Sequence, residues 1–322
     1  MIWLTIIAVV LSVLLLALLI ATYVFLRIAV YRDNRRTVDA ALARMEKTTP
    51  KAHFSIIKKG VEGFTAAKKE DVYITSRDGL RLHGFLLEQP DPKTARGTII
   101  LVHGWRSHPE IDFSASWESY IKKELNVLAI EQRAHGQSEG KYVCFGTKER
   151  FDLLDWITFI NKRYGSENKI IISGISMGSS TVMMTLGEEE LPQNVVGATA
   201  DCGFVSAWDE FVHVLKRSYH LPKFPLLYTT DLLSRVVADF GFREYSTEES
   251  LKKAKIPVLM LHGLADEFVP PEHSRRNAAA CASPCELLEV EGAGHGMSYL
   301  VDPDTVKEKL DAFFDRVLSS NN

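Results

Sequence analysis

Lys169-Ile170-Ile171-Ile172-Ser173-Gly174-Ile175-Ser176-Met177-Gly178 decides how this chain folds. An apolar run reads as a buried strand, a serine follows between two glycines, and Ser179 to Leu186 is compatible with a helix. Only residues without bulk let a helix fold back over the strand that feeds it, so Ser176 is forced onto a tight turn with its hydroxyl projecting into a cleft. That geometry suits a nucleophile. The Gly-x-Ser-x-Gly pattern alone is weak, because average glycine and serine usage gives about 0.1 chance matches in a chain of this length. This chain has two. The second, Gly136-Gln137-Ser138-Glu139-Gly140, follows Arg133-Ala134-His135 instead of an apolar strand and opens no helix, so context selects Ser176 over Ser138.

A nucleophilic serine needs a base for its proton and a carboxylate to hold that base, here in the chain order serine, acid, histidine. Ile256 to His262 reads as a buried parallel strand, and Asp266 lies in the loop just past its end. The strand-like run Cys285 to Val290 leads into Glu291-Gly292-Ala293-Gly294-His295-Gly296, a glycine-flanked histidine. All three candidates, Ser176, Asp266 and His295, fall at carboxyl ends of strands, where ligands collect in open α/β sheets. Asp201, ending the run Val195 to Ala200, is the rival acid; the His-Gly-x-x-Asp context favours Asp266. His103, His108, His135 and His262 are expected to brace loops around the cleft.

With these pieces, roughly residues 70 to 318 resemble the α/β-hydrolase superfamily, and within it the small BEM46-like and prolyl-oligopeptidase-like serine hydrolases. The resemblance rests on Val102-His103-Gly104-Trp105, Arg133-Ala134-His135-Gly136-Gln137-Ser138, the Ser176 turn, His262-Gly263-Leu264-Ala265-Asp266 and Gly294-His295. Ala134 departs from the glycine usual in the second loop, and Ser138 belongs to that loop. The resemblance implies that His295 accepts the Ser176 proton and returns it to the leaving group while Asp266 fixes the imidazole tautomer. It also implies an oxyanion hole built from the backbone N–H groups of Met177 and Trp105. No cofactor is implied, and Cys144, Cys202, Cys281 and Cys285 show no metal-ligand spacing.

The amino terminus is the second strong feature. Residues 2 to 26 carry no charge, and at ~1.5 Å per residue this helix reaches about 37 Å, enough to cross a hydrocarbon core of roughly 30 Å. No basic residue precedes it and no small-residue cleavage site follows, so an anchor over residues 1–26 is expected in place of a cleaved leader. Arg27, Arg32, Arg35 and Arg36 follow at once, and the positive-inside rule puts the body in the cytoplasm. Residues 27–69 have a net charge of +7 and residues 70–322 of −10. This basic neck reads equally as a segment lying on anionic headgroups or as a solvated linker helix with Val38, Leu42 and Met45 on its apolar face. A membrane surface accounts for its charge better than nucleic acid does.

Residues 70–322 suit one α/β domain with a mostly parallel eight-stranded sheet, helices on both faces, and a helical lid inserted at about 204–250. Ser206 is expected to cap one lid helix, Thr229 or Thr230 a second, and Ser246 with Glu249 a third. Either the lid favours acyl or aromatic substrates, or its aromatic residues bury only their own core. The sequence therefore points to a membrane-anchored serine hydrolase acting on a small ester or lipid substrate, with a peptidase and a non-catalytic anchored binding protein as alternatives.

Overall fold

The computed structural model describes residues 1–320. Its strands are β1 Glu70–Thr75, β2 Arg81–Leu87, β3 Gly97–Val102, β4 Leu125–Ile130, β5 Ile170–Ile175, β6 Val195–Asp201, β7 Val258–Gly263 and β8 Cys285–Val290. They form one sheet in the order β1-β2-β4-β3-β5-β6-β7-β8. The β1–β2 and β2–β4 pairs are antiparallel and all later pairs parallel. Every residue of β3 is buried, which is why the central strands read as unbroken apolar runs. Successive residues serve opposite layers: Ile100 and Val102 belong to one core, Ile99 and Leu101 to the other.

The helices, in chain order, are α1 Ile2–Ala29, α2 Val38–Thr48, α3 Lys51–Ala66, α4 Pro109–Asp112, α5 Trp117–Lys122, α6 Glu149–Tyr164, α7 Met177–Thr185, α8 Ala207–Ser218, α9 Leu226–Val237, α10 Thr247–Leu251, α11 Glu272–Ala280, α12 Ser298–Val301 and α13 Pro303–Ser319. Leu153, Trp156, Ile157 and Ile160 of α6 join Val182 and Met183 of α7 and Leu251 of α10 over one face of the sheet. Phe64 of α3, Trp117 and Tyr120 of α5, and Phe313, Phe314 and Val317 of α13 cover the other. The chain leaves β3 toward β4 and then crosses back to β5 on the opposite side. The loops after β3 and β5 thus diverge at the carboxyl ends of their strands and open a crevice there.

Two segments differ from what the sequence suggested. The stretch 27–69, read as a neck or linker, packs on the body of the domain. Ile57 and Val61 meet Ile111, with Val38, Leu42 and Met45 against them, and Trp117 Nε1 donates to the Gly60 carbonyl at 3.1 Å. Phe64 is fully buried between Phe85 and Trp117, with ring centroids 5.7 and 5.6 Å away. Its apolar face therefore looks inward, and the basic residues remain on the outside. The second difference lies in the lid. Ser206 and Ser246 cap α8 and α10 by accepting from Asp209 N and Glu249 N, as expected. Glu249, however, pairs with Lys252 and closes no reciprocal box. Thr229 and Thr230 sit inside α9, which begins at Leu226, and their hydroxyls donate back to the Leu226 carbonyl.

Because Phe64 is a core side chain, Phe64→Ala should destabilise the full chain by about 3–5 kcal/mol in chemical denaturation. A loss below about 1 kcal/mol, the scale of a surface substitution, would detach residues 27–69 from the cooperative fold.

Candidate active site

Ser176 stands between β5 and α7 with φ +56° and ψ −121°, a conformation that L residues rarely adopt. The flanking glycines make it possible. A Cβ on Gly174 would lie 2.3 Å from the Gly178 carbonyl oxygen, and one on Gly178 would lie 1.9 Å from that of Val102. Helix α7 therefore sits directly on the strands, and all nine of its residues are buried.

His295 follows β8, and its Nε2 lies 2.8 Å from Ser176 Oγ. Its Nδ1 lies 2.7 Å from Asp266 Oδ2, so with Nδ1 donating to the carboxylate, Nε2 is the acceptor for the serine hydroxyl. Asp266 Oδ1 accepts from the backbone N–H groups of Phe268 and Val269, each at 2.9 Å. Burial pushes its pKa up, but the bonds from His262, His295 and Val269 N–H outweigh burial and hold the carboxyl well below the usual range. The rival Asp201 accepts instead from Ser298 Oγ at 3.1 Å, and burial raises its pKa. The second-motif serine is engaged elsewhere: Ser138 Oγ donates to the Glu131 carbonyl at 2.6 Å and accepts from His83 N at 2.9 Å.

Met177 is the first residue of α7, so its N–H is one of those a helix leaves without an intrahelical partner. The loop after β3 passes close to Ser176: a Cβ on Gly104 would lie 3.1 Å from Ser176 Cβ. Asp112 grips that loop by accepting from Gly104 N–H and from Ser107 Oγ, both at 2.6 Å. His135 Nε2 accepts from Arg106 N–H at 2.9 Å while its Nδ1 donates to the Arg133 carbonyl. Burial lowers the His135 pKa to about 4 and that of His103 well below its ordinary value, so both rings brace the loop in neutral form.

Ser176 opens onto two cavities. One, of about 220 Å³, is apolar and lined by Phe145, Phe204, Phe211 and Phe268 together with Phe25, Ile28 and Ala29 of α1. The other, of about 370 Å³, runs between His295, Gly104 and the neck helices at Arg44, Met45 and Ile57. Trp105 and Phe268 line both. Sequence reading missed three contributors: α1 as a cavity wall, Asp112 as the loop clamp, and Glu210 of α8 in the apolar cavity. Glu210 is buried with both carboxyl oxygens unpartnered, and burial raises its pKa well above the usual range. No local pattern marks these residues, because each acts through contacts made by distant segments. Cys202 has its sulfur within 4.8 Å of ligand atoms of Asp266 and His295. Burial keeps that thiol protonated and the other two groups bond each other, which disfavours metal binding.

An eight-stranded sheet with a serine turn after β5 defines a class of fold, and the comparisons agree. Residues 99–309 match the Alpha/beta hydrolase family, and the chain belongs to that family. It is 27% identical to the uncharacterized protein YqkD of Bacillus subtilis over 259 residues, 80% of this chain and 83% of that one. Protein bem46 of Schizosaccharomyces pombe is 24% identical over 204 residues, 63% of this chain and 62% of bem46. The esterase Pf2001 of Pyrococcus furiosus shares the fold with a TM-score of 0.63, over 79% of this chain and 94% of the esterase at 24% identity.

The depressed pKa of Asp266 sets a sign for acid stability. Its contribution is present above the unfolded value near 3.8 and is lost as pH falls through the lower folded value. Asp266→Asn should therefore be less stable than the parent at neutral pH, with the gap in urea midpoint narrowing only once pH drops below about 4. A gap independent of pH would remove the charge from this account.

Proposed function

We propose that the protein is a membrane-anchored serine hydrolase that cleaves carboxylic esters through Ser176, His295 and Asp266. The observation that carries this reading is the continuous pair of hydrogen bonds from Asp266 through His295 to Ser176, 2.7 and 2.8 Å long. Ser176 Oγ attacks the ester carbonyl as His295 Nε2 takes its proton, and Asp266 steadies the imidazolium. Charge on the tetrahedral oxygen is met by the N–H groups of Met177 and Trp105, each such donor being worth about 3 kcal/mol in the barrier. His295 returns the proton to the departing alcohol, and water then releases the acid from the acyl-serine by the same steps. The apolar cavity takes the acyl group and the cleft facing the neck takes the alcohol.

A peptidase is the second reading, and Glu210 is the feature that favours it, since a substrate ammonium would satisfy its unpartnered carboxyl. Burial favours its protonated form, and the remaining walls of the cavity are chiefly aromatic and aliphatic, so an uncharged acyl group fits better.

Helix α1 supplies the anchor, with a mean hydropathy of 3.1 over its most apolar window. The arginines that follow it favour a cytoplasmic body. Protease added to intact cells should leave the hydrolase domain uncut, and its removal would reverse that orientation. A fluorophosphonate probe should label Ser176 in the folded chain, and Ser176→Ala should abolish both labelling and aryl-ester hydrolysis. Asp266→Asn should lower kcat about 10⁴-fold by mis-setting the imidazole tautomer. Turnover of aminoacyl-arylamides without esters would favour the peptidase, and absence of labelling a non-catalytic protein.

A further inference from the structure

The exposed part of α1 ends where the lid begins. Residues 2–21 are exposed apart from the half-buried Leu18, whereas Thr22, Phe25, Leu26 and Ala29 are buried against the body. At ~1.5 Å per residue the exposed stretch is about 30 Å long, the thickness of a hydrocarbon core. One residue further on, Thr22 Oγ1 lies 2.6 Å from Thr229 Oγ1 of α9. The lid helix is thus clamped to the anchor at the level where the bilayer interior gives way to headgroups.

The outward side of α9 is apolar. Tyr228, Leu232 and Val236, spaced four residues apart on the helix, are 39%, 64% and 75% exposed, and Phe224 just before it is 69% exposed, while Leu227, Thr230, Asp231 and Ser234 face inward and are buried. A helix on the surface of a soluble domain ordinarily turns polar residues to its outward side. Lys223 adjoins the stripe in sequence, with a stem long enough to lie along apolar surface while its charge reaches headgroups, and Arg235 turns to pair with Asp231. The rim of the 220 Å³ cavity continues the theme, for Ile28, Tyr219 and Phe268 are exposed there. Ile28 lies about 10 Å along the helix axis from Ala21, within the depth of a headgroup layer.

From this continuity we infer that the outer face of α9 is a second membrane contact, and that the apolar cavity above Ser176 opens at the lipid surface to take the acyl chain of a bilayer-resident ester. The inference rests on the hydrolase reading above and adds the source of the substrate. An interfacial helix buries its apolar face about 5–10 Å into the headgroup boundary, and the Thr22–Thr229 contact ties α9 to the end of the exposed stretch of α1. The acyl chain then passes from leaflet to cavity along Phe25 and Ile28 without crossing water.

The test uses the full chain in phosphatidylcholine vesicles and does not depend at first on turnover. Phosphatidylcholine carrying a photoactivatable diazirine near the top of its acyl chain should label residues 224–237 as well as residues 2–21. Label confined to residues 2–21, or cross-links joining α9 of two copies, would overturn the membrane contact. For catalysis, Leu232→Glu/Val236→Glu should lower turnover of a fluorogenic long-chain ester embedded in the vesicles at least ten-fold and leave p-nitrophenyl acetate hydrolysis within two-fold. Equal loss on both substrates, or none on the vesicle ester, would overturn delivery from the bilayer while sparing the esterase. A parent chain that neither hydrolyses p-nitrophenyl acetate nor reacts with fluorophosphonate would instead overturn the hydrolase reading, and the substrate claim with it.

Discussion

The close seating of α7 on the sheet is the constraint from which the site follows. Gly174 and Gly178 remove the side chains that would strike the Gly178 and Val102 carbonyls, and the chain between them turns with Ser176 at positive φ. Such a backbone costs of order 1–3 kcal/mol and persists only where its surroundings over-determine it. Here the complete burial of α7 supplies that pressure. The same turn brings Ser176 to the amino end of α7, where unpaired N–H groups and the helix dipole favour negative charge. Geometry and electrostatics at Ser176 are consequences of a single packing event.

Around the nucleophile the polar groups divide by charge. Asp266 is kept ionised by His262, His295 and the N–H groups of Phe268 and Val269, which suits a group that steadies an imidazolium. His103 and His135 are kept neutral by burial and hold the β3 loop through backbone bonds, so they set no competing positive charge beside His295. Glu131 at the end of β4 shows how far this bracing extends. Despite burial, which raises its pKa, the His108 ring 4.0 Å away and the bonds from His83 and Gln137 N–H bring it down to about 2 and hold the loop containing Ser138. A motif that looks like a second nucleophile in sequence is in space a scaffold for the first.

The amino-terminal helix joins this arrangement physically. Trp105 Nε1 donates to the Ala29 carbonyl at 2.9 Å, one of the acceptors a helix end leaves free, while Trp105 itself lies in the β3 loop beside Ser176. Beyond α1, Arg32 N donates to the Lys141 carbonyl and the Val30 carbonyl accepts from Val143 N, so the chain is tied to the loop after β4. Helices α1 and α8 and the β3 loop therefore meet around one cavity. An apolar helix that merely tethered a domain would need none of these contacts.

Much of this was legible along the chain. Strand runs such as Ile170 to Ser173, the glycine-flanked Ser176, Asp266 past β7 and His295 past β8 are local patterns, because turn geometry and two-sided burial are written in adjacent residues. The length and apolarity of residues 2–26 were equally plain. What the chain could not disclose was which surfaces meet. The apolar face of residues 38–64 looked the same whether it met solvent, lipid or the domain, and Glu210, Asp112 and Phe25 carried no mark of the site they border. Periodicity records that a face is apolar and leaves its partner open. The sequence by itself determined the sheet, the serine turn and the order of the candidate triad. Only tertiary packing decided that α1, the helices after it and α8 form the walls around it, since burial partners are selected by contacts between segments far apart in the chain.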